Sequence, residues 1–132
     1  MKTTITVMLI LVRLCFLVLF VLGIVFWTGH GLSLIPLHMI VGIVLVLGLW
    51  VTSLLAAAAR APLGLALTGL LWGVITIAFG MKQMELLPGP SHWIIQVVHL
   101  LVGMGAIALN ERLARLTLGL IERSSRPLQM PS

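Results

Sequence analysis

The chain has 132 residues, of which 61% are hydrophobic and only 8% are charged, against about 25% charged in an ordinary soluble domain. So few charges cannot cover a water-facing surface, which excludes a soluble enzyme and leaves no room for a second, soluble domain. The formal net charge of +5 does not point to nucleic acid, because the basic residues sit at the ends of apolar runs, where membrane orientation is decided.

A membrane helix needs roughly 20 apolar residues, and four such spans can be drawn. The first covers about Thr4 to Gly29. Its start, "MKTT" and then an apolar run, resembles a signal peptide. The run is too long for a signal-peptide core and no small-residue cleavage site follows, so it reads as a retained span. Arg13 lies inside it, nearer the end that carries Lys2. An arginine there either snorkels to the interface or has a partner, and snorkelling is the expectation. Cys15 is the sole cysteine. It cannot form an intramolecular disulfide and reads as a small packing or lipid-facing residue.

The second span covers about Leu34 to Ala59 and the third about Leu63 to Met81, with Pro36 and Pro62 near the helix starts, where a missing N–H does least harm. In the third span Gly64, Gly69, Gly73 and Gly80 recur. "GLLWG", Gly69 to Gly73, is a small-xxx-small pattern that permits close helix contact. "LPGPS", Leu87 to Ser91, is a turn ending in an N-cap serine. The fourth span covers about His92 to Leu109. Beyond it, "ERLARLTLGLIERSSR" keeps helical periodicity and carries arginines. It is expected to lie along the cytoplasmic lipid surface.

These readings give an all-α integral membrane protein: an up-down four-helix bundle with short hairpin loops and a C-terminal interfacial helical tail. The bundle takes residues 1–110 and the basic amphipathic tail takes 111–132. Lys2, Arg60, Arg112, Arg115, Arg123 and Arg126 fall on one side of the bundle. The other side holds Lys82, cancelled by Glu85. The positive-inside rule then makes both termini cytoplasmic, with the protein in the inner (plasma) membrane as a multi-pass chain. The lipid bilayer is its first partner. Trp27, Trp50, Trp72 and Trp93 are expected to belong mostly to interfacial belts.

The four histidines, His30, His38, His92 and His99, all fall in the outer half. His99 lies furthest into an apolar run, and intramembrane ionisable residues usually face a bundle interior and mark function. "LHMIVG" at Leu37 to Gly42 and "VHLLVG" at Val98 to Gly103 repeat one spacing: histidine, then glycine four residues on. The glycine therefore shares the histidine's helix face, one turn deeper. A histidine that ligates a haem iron brings the flat macrocycle against its own helix. A bulky residue at the next turn would strike the ring edge, and glycine leaves room for it. Imidazole is the usual axial donor of haem iron. The second and fourth spans are diagonal partners running in the same direction. His38 and His99 can then grip one iron from both faces, with Gly42 and Gly103 as clearance.

His30 and His92 read as interfacial polar residues beside Trp27 and Trp93. The alternatives are a second ligand pair, a haem-propionate contact or a quinone-headgroup contact. Gln96, between His92 and His99 on the same helix, either orients a ligand or bridges two helices.

With these residues placed, the chain resembles the small four-helix membrane b-type cytochromes. "HMIVGIVLVLGLW" is similar to the second-helix pattern of bacterial cytochrome b561. "VHLLVGMGAIAL" is similar to the histidine-bearing helices of haem A synthase, whose halves are each a four-helix bundle with ligands on the second and fourth helices. The resemblance implies haem b, one or two groups, bound through His38 and His99. Cytochrome b561 has further histidines towards the other side, and the inner half here has none. Haem A synthase has a catalytic carboxylate near its haem, and only Glu85, in a loop, could correspond. The resemblance therefore implies the haem site and neither enzyme's reaction.

The expected function is electron transfer by a bis-histidine haem in the outer half, with quinone or a periplasmic redox partner. The alternative is a non-catalytic subunit of a larger membrane complex, or a homo-oligomer, packing through the glycine-rich spans. An exporter would need a membrane carboxylate for proton coupling, and Glu85, Glu111 and Glu122 all lie at loops or ends. A divalent-metal site built from the four histidines lacks a nearby carboxylate or thiolate.

Overall fold

The computed structural model describes residues 1–125. Four helices follow one another: α1 Lys2–Trp27, α2 Ile35–Ala58, α3 Leu63–Lys82 and α4 His92–Ser124. Each is long and apolar enough to cross a membrane. Proline stays out of the helix interiors. Pro36 falls in the first turn of α2 and Pro62 caps α3.

The connections are short because each helix end is closed locally. At the end of α1, His30 N–H donates to Val25 O and Gly29 N–H to Phe26 O. This pattern needs a left-handed residue just past the helix, and Gly29 supplies it with φ +77°. The end of α2 repeats the motif, Ala61 N–H to Ala56 O and Arg60 N–H to Ala57 O. There the left-handed residue is Arg60, at φ +62°, where a side chain is disfavoured. Ser91 stands at the N-cap of α4 as expected, although its hydroxyl makes no capping bond.

Consecutive helices run antiparallel. The inner pair is α2 and α4, which touch each other, with α1 and α3 each packed against both. The N-terminus, the α2–α3 connection and the end of α4 share one end of the bundle, the arginine end. The four histidines mark the other.

Packing is uneven along the bundle. Ile5, Val12, Leu45, Val46, Leu49, Ala56, Ala66, Ala106, Leu113 and Ala114 are buried, all in the half nearer the arginine end or at mid-bundle. In the histidine half, Ile95 alone of the described helix residues is buried. The buried Thr52, Ser53 and Thr117 hydroxyls donate back to the carbonyls of Gly48, Leu49 and Leu113, which satisfies them inside apolar surroundings. Asn110 is fully buried, and neither atom of its amide has a partner.

Three expectations are refined. The fourth span was drawn to Leu109, but α4 runs unbroken to Ser124. Leu113, Ala114 and Thr117 extend the buried stripe begun by Ala106 and Asn110. Residues 111–124 are thus helical as expected and part of α4. Residues 126–132 of the tail, with Arg126, lie outside the described residues.

Trp50 and Trp72 are not interfacial. The Trp50 indole N–H donates to Leu70 O at 3.0 Å and that of Trp72 to Val102 O at 2.9 Å. Each ring crosses to the next helix over a glycine, Trp50 over Gly73 and Trp72 over Gly105. Gly69 likewise faces Ser53 and Leu113. The small residues of "GLLWG" are therefore used inside the bundle.

Arg13 has a partner. Its Nε and Nη2 meet the two carboxylate oxygens of Glu111, the second at 2.9 Å. Arg115 Nη2 reaches the same carboxylate at 3.3 Å. Lys82 and Glu85 pair at 2.9 Å, as their cancellation anticipated.

Candidate functional site

His38 lies on the first turn of α2 and His99 two turns into α4. Both are half-buried. Their rings face each other across the bundle, with centroids 6.2 Å apart and planes inclined at 43°. The Nδ1 atom of each is buried and has no hydrogen-bond partner. A neutral imidazole carries one donor and one acceptor. A buried polar atom left unpaired costs about 1–3 kcal/mol, so such an atom calls for an explanation.

The helices α1 and α3 contribute aromatic walls. Phe26 sits against His38 at 5.4 Å, and Phe79 stacks on His99 at 6.0 Å with planes 14° apart. Gly80 follows Phe79, and a Cβ there would lie 3.4 Å from His99 Cε1. All four helices therefore meet the histidine pair. Sequence reasoning missed Phe26 and Phe79 and counted Gly80 only as packing. The signal it had was one phenylalanine near the outer end of each flanking span.

Gly42 and Gly103 have no close neighbours. A Cβ at Gly42 would meet nothing within 4 Å, and one at Gly103 only Phe16 Cε2 at 4.0 Å. By contrast, one at Gly105 would lie 2.5 Å from the Trp72 indole. Glycine at 105 is needed for packing between helices, whereas at 42 and 103 no protein packing demands it.

The other two histidines serve their turns. His30 is exposed, and its Nδ1 lies 3.1 Å from Thr28 Oγ1. His92 Nδ1 lies 3.1 Å from Leu86 O, tying the α3–α4 connection to the start of α4. Gln96 is half-buried between His92 and His99. It orients neither Nδ1, since that of His92 is on Leu86 and that of His99 is unpaired.

Haem iron would fit this donor set. First-row metal–imidazole bonds are about 2.0–2.1 Å, which puts each ring centroid about 3.2 Å from a shared metal and the two about 6.4 Å apart. The observed 6.2 Å is close to that separation and is also an ordinary ring-contact distance. The unpaired nitrogens, the open space at Gly42 and Gly103 and the thin packing of this half agree with it. Among the described residues no group of three or more His, Cys, Asp or Glu could hold a metal ion. A bare divalent ion therefore lacks a donor set, while a haem iron needs only two axial donors from protein.

No protein-family model, curated protein or solved structure matches this chain.

Proposed function

We propose that this chain is a membrane-embedded b-type haem protein whose axial donors are His38 and His99, and that it transfers electrons in the outer half of the bilayer. The observation that carries the reading is the pair of half-buried imidazoles on α2 and α4, 6.2 Å apart with unpaired buried nitrogens. The similarity of its histidine motifs to cytochrome b561 and haem A synthase agrees with it.

When bound, haem b supplies one-electron chemistry at its iron. The protein's residues do the rest. His38 and His99 would hold the group, and Gly42 and Gly103 would leave room beside their helices. Phe26 and Phe79 keep water from the imidazoles. The arginine half has a closed apolar core and no histidine, so one haem here does not relay electrons across the bilayer. The exchange partner is then a quinone or a periplasmic redox protein reaching the histidine end.

The orientation is part of the same proposal. Lys2, Arg60, Arg112, Arg115 and Arg123 mark the cytoplasmic end by the positive-inside rule, in the inner (plasma) membrane. The competing reading, an accessory subunit packing through a glycine-rich third span, is weakened because Gly69 and Gly73 are filled from within the bundle.

The test is the haem-to-protein ratio of the full chain purified in detergent from cells supplied with haem precursor. One haem b per chain, oxidised and reduced by a quinone–quinol couple, supports the proposal. A colourless protein that also fails to take up added haemin overturns it.

A further inference from the structure

The charged cluster at the other end of the bundle is not used by the haem site. Glu111 holds Arg13 through both carboxylate oxygens and Arg115 through one. One carboxylate thus serves two guanidinium groups, and the cluster keeps one net positive charge. Neutralising Arg13 inside a membrane needs only the carboxylate, and the second arginine leaves an excess.

Each guanidinium has five N–H donors; Arg13 spends two of them on Glu111 and Arg115 one. The remainder face outward. The Arg13 side chain is 47% exposed and that of Arg115 75%, whereas Glu111 is 22% exposed. The carboxylate lies behind and the arginines in front.

Depth identifies what they face. Arg115 lies 23 residues beyond His92 on one unbroken helix, about 35 Å at 1.5 Å per residue. The hydrocarbon core is about 30 Å thick. With His92 and Trp93 at the outer interface, Arg115 reaches the headgroups of the inner leaflet and Arg13 lies just beneath them. Above the cluster the surface turns apolar. On α1, Leu17 and Val21 are 58% and 51% exposed, and on α4 Met104 is 48% exposed. Leu17 is one turn from Arg13, on the same face.

We infer that the α1–α4 face binds one anionic phospholipid, its phosphate on Arg13 and Arg115 and an acyl chain along Leu17, Val21 and Met104. Cationic donors at headgroup depth, backed by a fixed carboxylate and continued by an apolar strip, match the two parts of such a lipid in order. Arginine suits phosphate because its planar fork makes paired bonds to the oxygens.

The experiment uses the full chain, delipidated in detergent, and compares binding of phosphatidylglycerol, phosphatidylcholine and inorganic phosphate by native mass spectrometry and thermal melting. Wild type should retain one phosphatidylglycerol in preference to phosphatidylcholine. Arg115→Gln should lower that preference about fivefold, the worth of one basic residue at an anionic surface. Arg115 leaves the Arg13–Glu111 pair intact, so this variant should fold. Arg112→Gln, a neighbouring exposed arginine outside the cluster, should keep the preference. Equal binding of the two lipids overturns the inference, as does equal loss in Arg112→Gln, which would make the effect one of diffuse charge. Equal stabilisation by inorganic phosphate would give the site to a soluble anion and overturn the lipid assignment.

Discussion

Gly42→Leu separates the needs of the fold from those of the cofactor. A Cβ at Gly42 meets nothing within 4 Å, so the protein leaves open space where a larger side chain would begin. Leucine also replaces a mid-helix glycine, which costs about 0.5–1 kcal/mol relative to alanine. The haem-free variant should therefore be at least as stable as wild type. The bound form should differ. Side chain added to a filled site costs about 1–3 kcal/mol, which corresponds to about 5- to 150-fold weaker haem binding. The assay is a titration of detergent-solubilised, haem-free protein with haemin, followed at the Soret band, beside a thermal melt of the same sample. Unchanged haem affinity would refute the clearance argument. A lower melting temperature without haem would show instead that Gly42 is a packing glycine.

Other substitutions test the packing. Gly105→Val puts a side chain where the Trp72 ring lies, with even a Cβ only 2.5 Å from it. It should destabilise the bundle by about 1–3 kcal/mol, measured by chemical denaturation in detergent, and lose the Trp72–Val102 bond. Asn110→Leu removes two buried, unpaired amide atoms. It should raise stability by about 1–3 kcal/mol, and a clear loss would mean that the amide has a partner. Glu111→Gln removes the carboxylate charge that neutralises Arg13. The variant should melt lower, and Arg13→Leu with Glu111→Leu should recover most of the loss.

What the sequence reveals depends on how far apart the interacting residues are. Spans follow from apolar run length alone, and their ends from local chemistry at Gly29, Pro36, Pro62 and Ser91. That His38 and His99 lie near each other was legible because two equal spacings fell on spans that an up-down plan makes diagonal. The roles of Trp50 and Trp72 were not. Each depends on which glycine of the next helix comes level with the indole, and composition carries no such register. The Arg13–Glu111 pair joins residues 98 apart. Glu111 looked like the start of a tail because its neighbours turn polar there. Only the buried stripe of Ala106, Asn110, Leu113, Ala114 and Thr117 shows that α4 continues past it. The uneven core was hidden too, since both halves of each span are equally apolar and only packing distinguishes them.

The most direct measurement is the optical spectrum of haem-loaded wild type beside His38→Ala and His99→Ala. Wild type should show the sharp Soret and visible bands of a six-coordinate, low-spin iron on reduction, and each variant should lose them, with haem released or five-coordinate. The same low-spin spectrum in both variants would contradict the account.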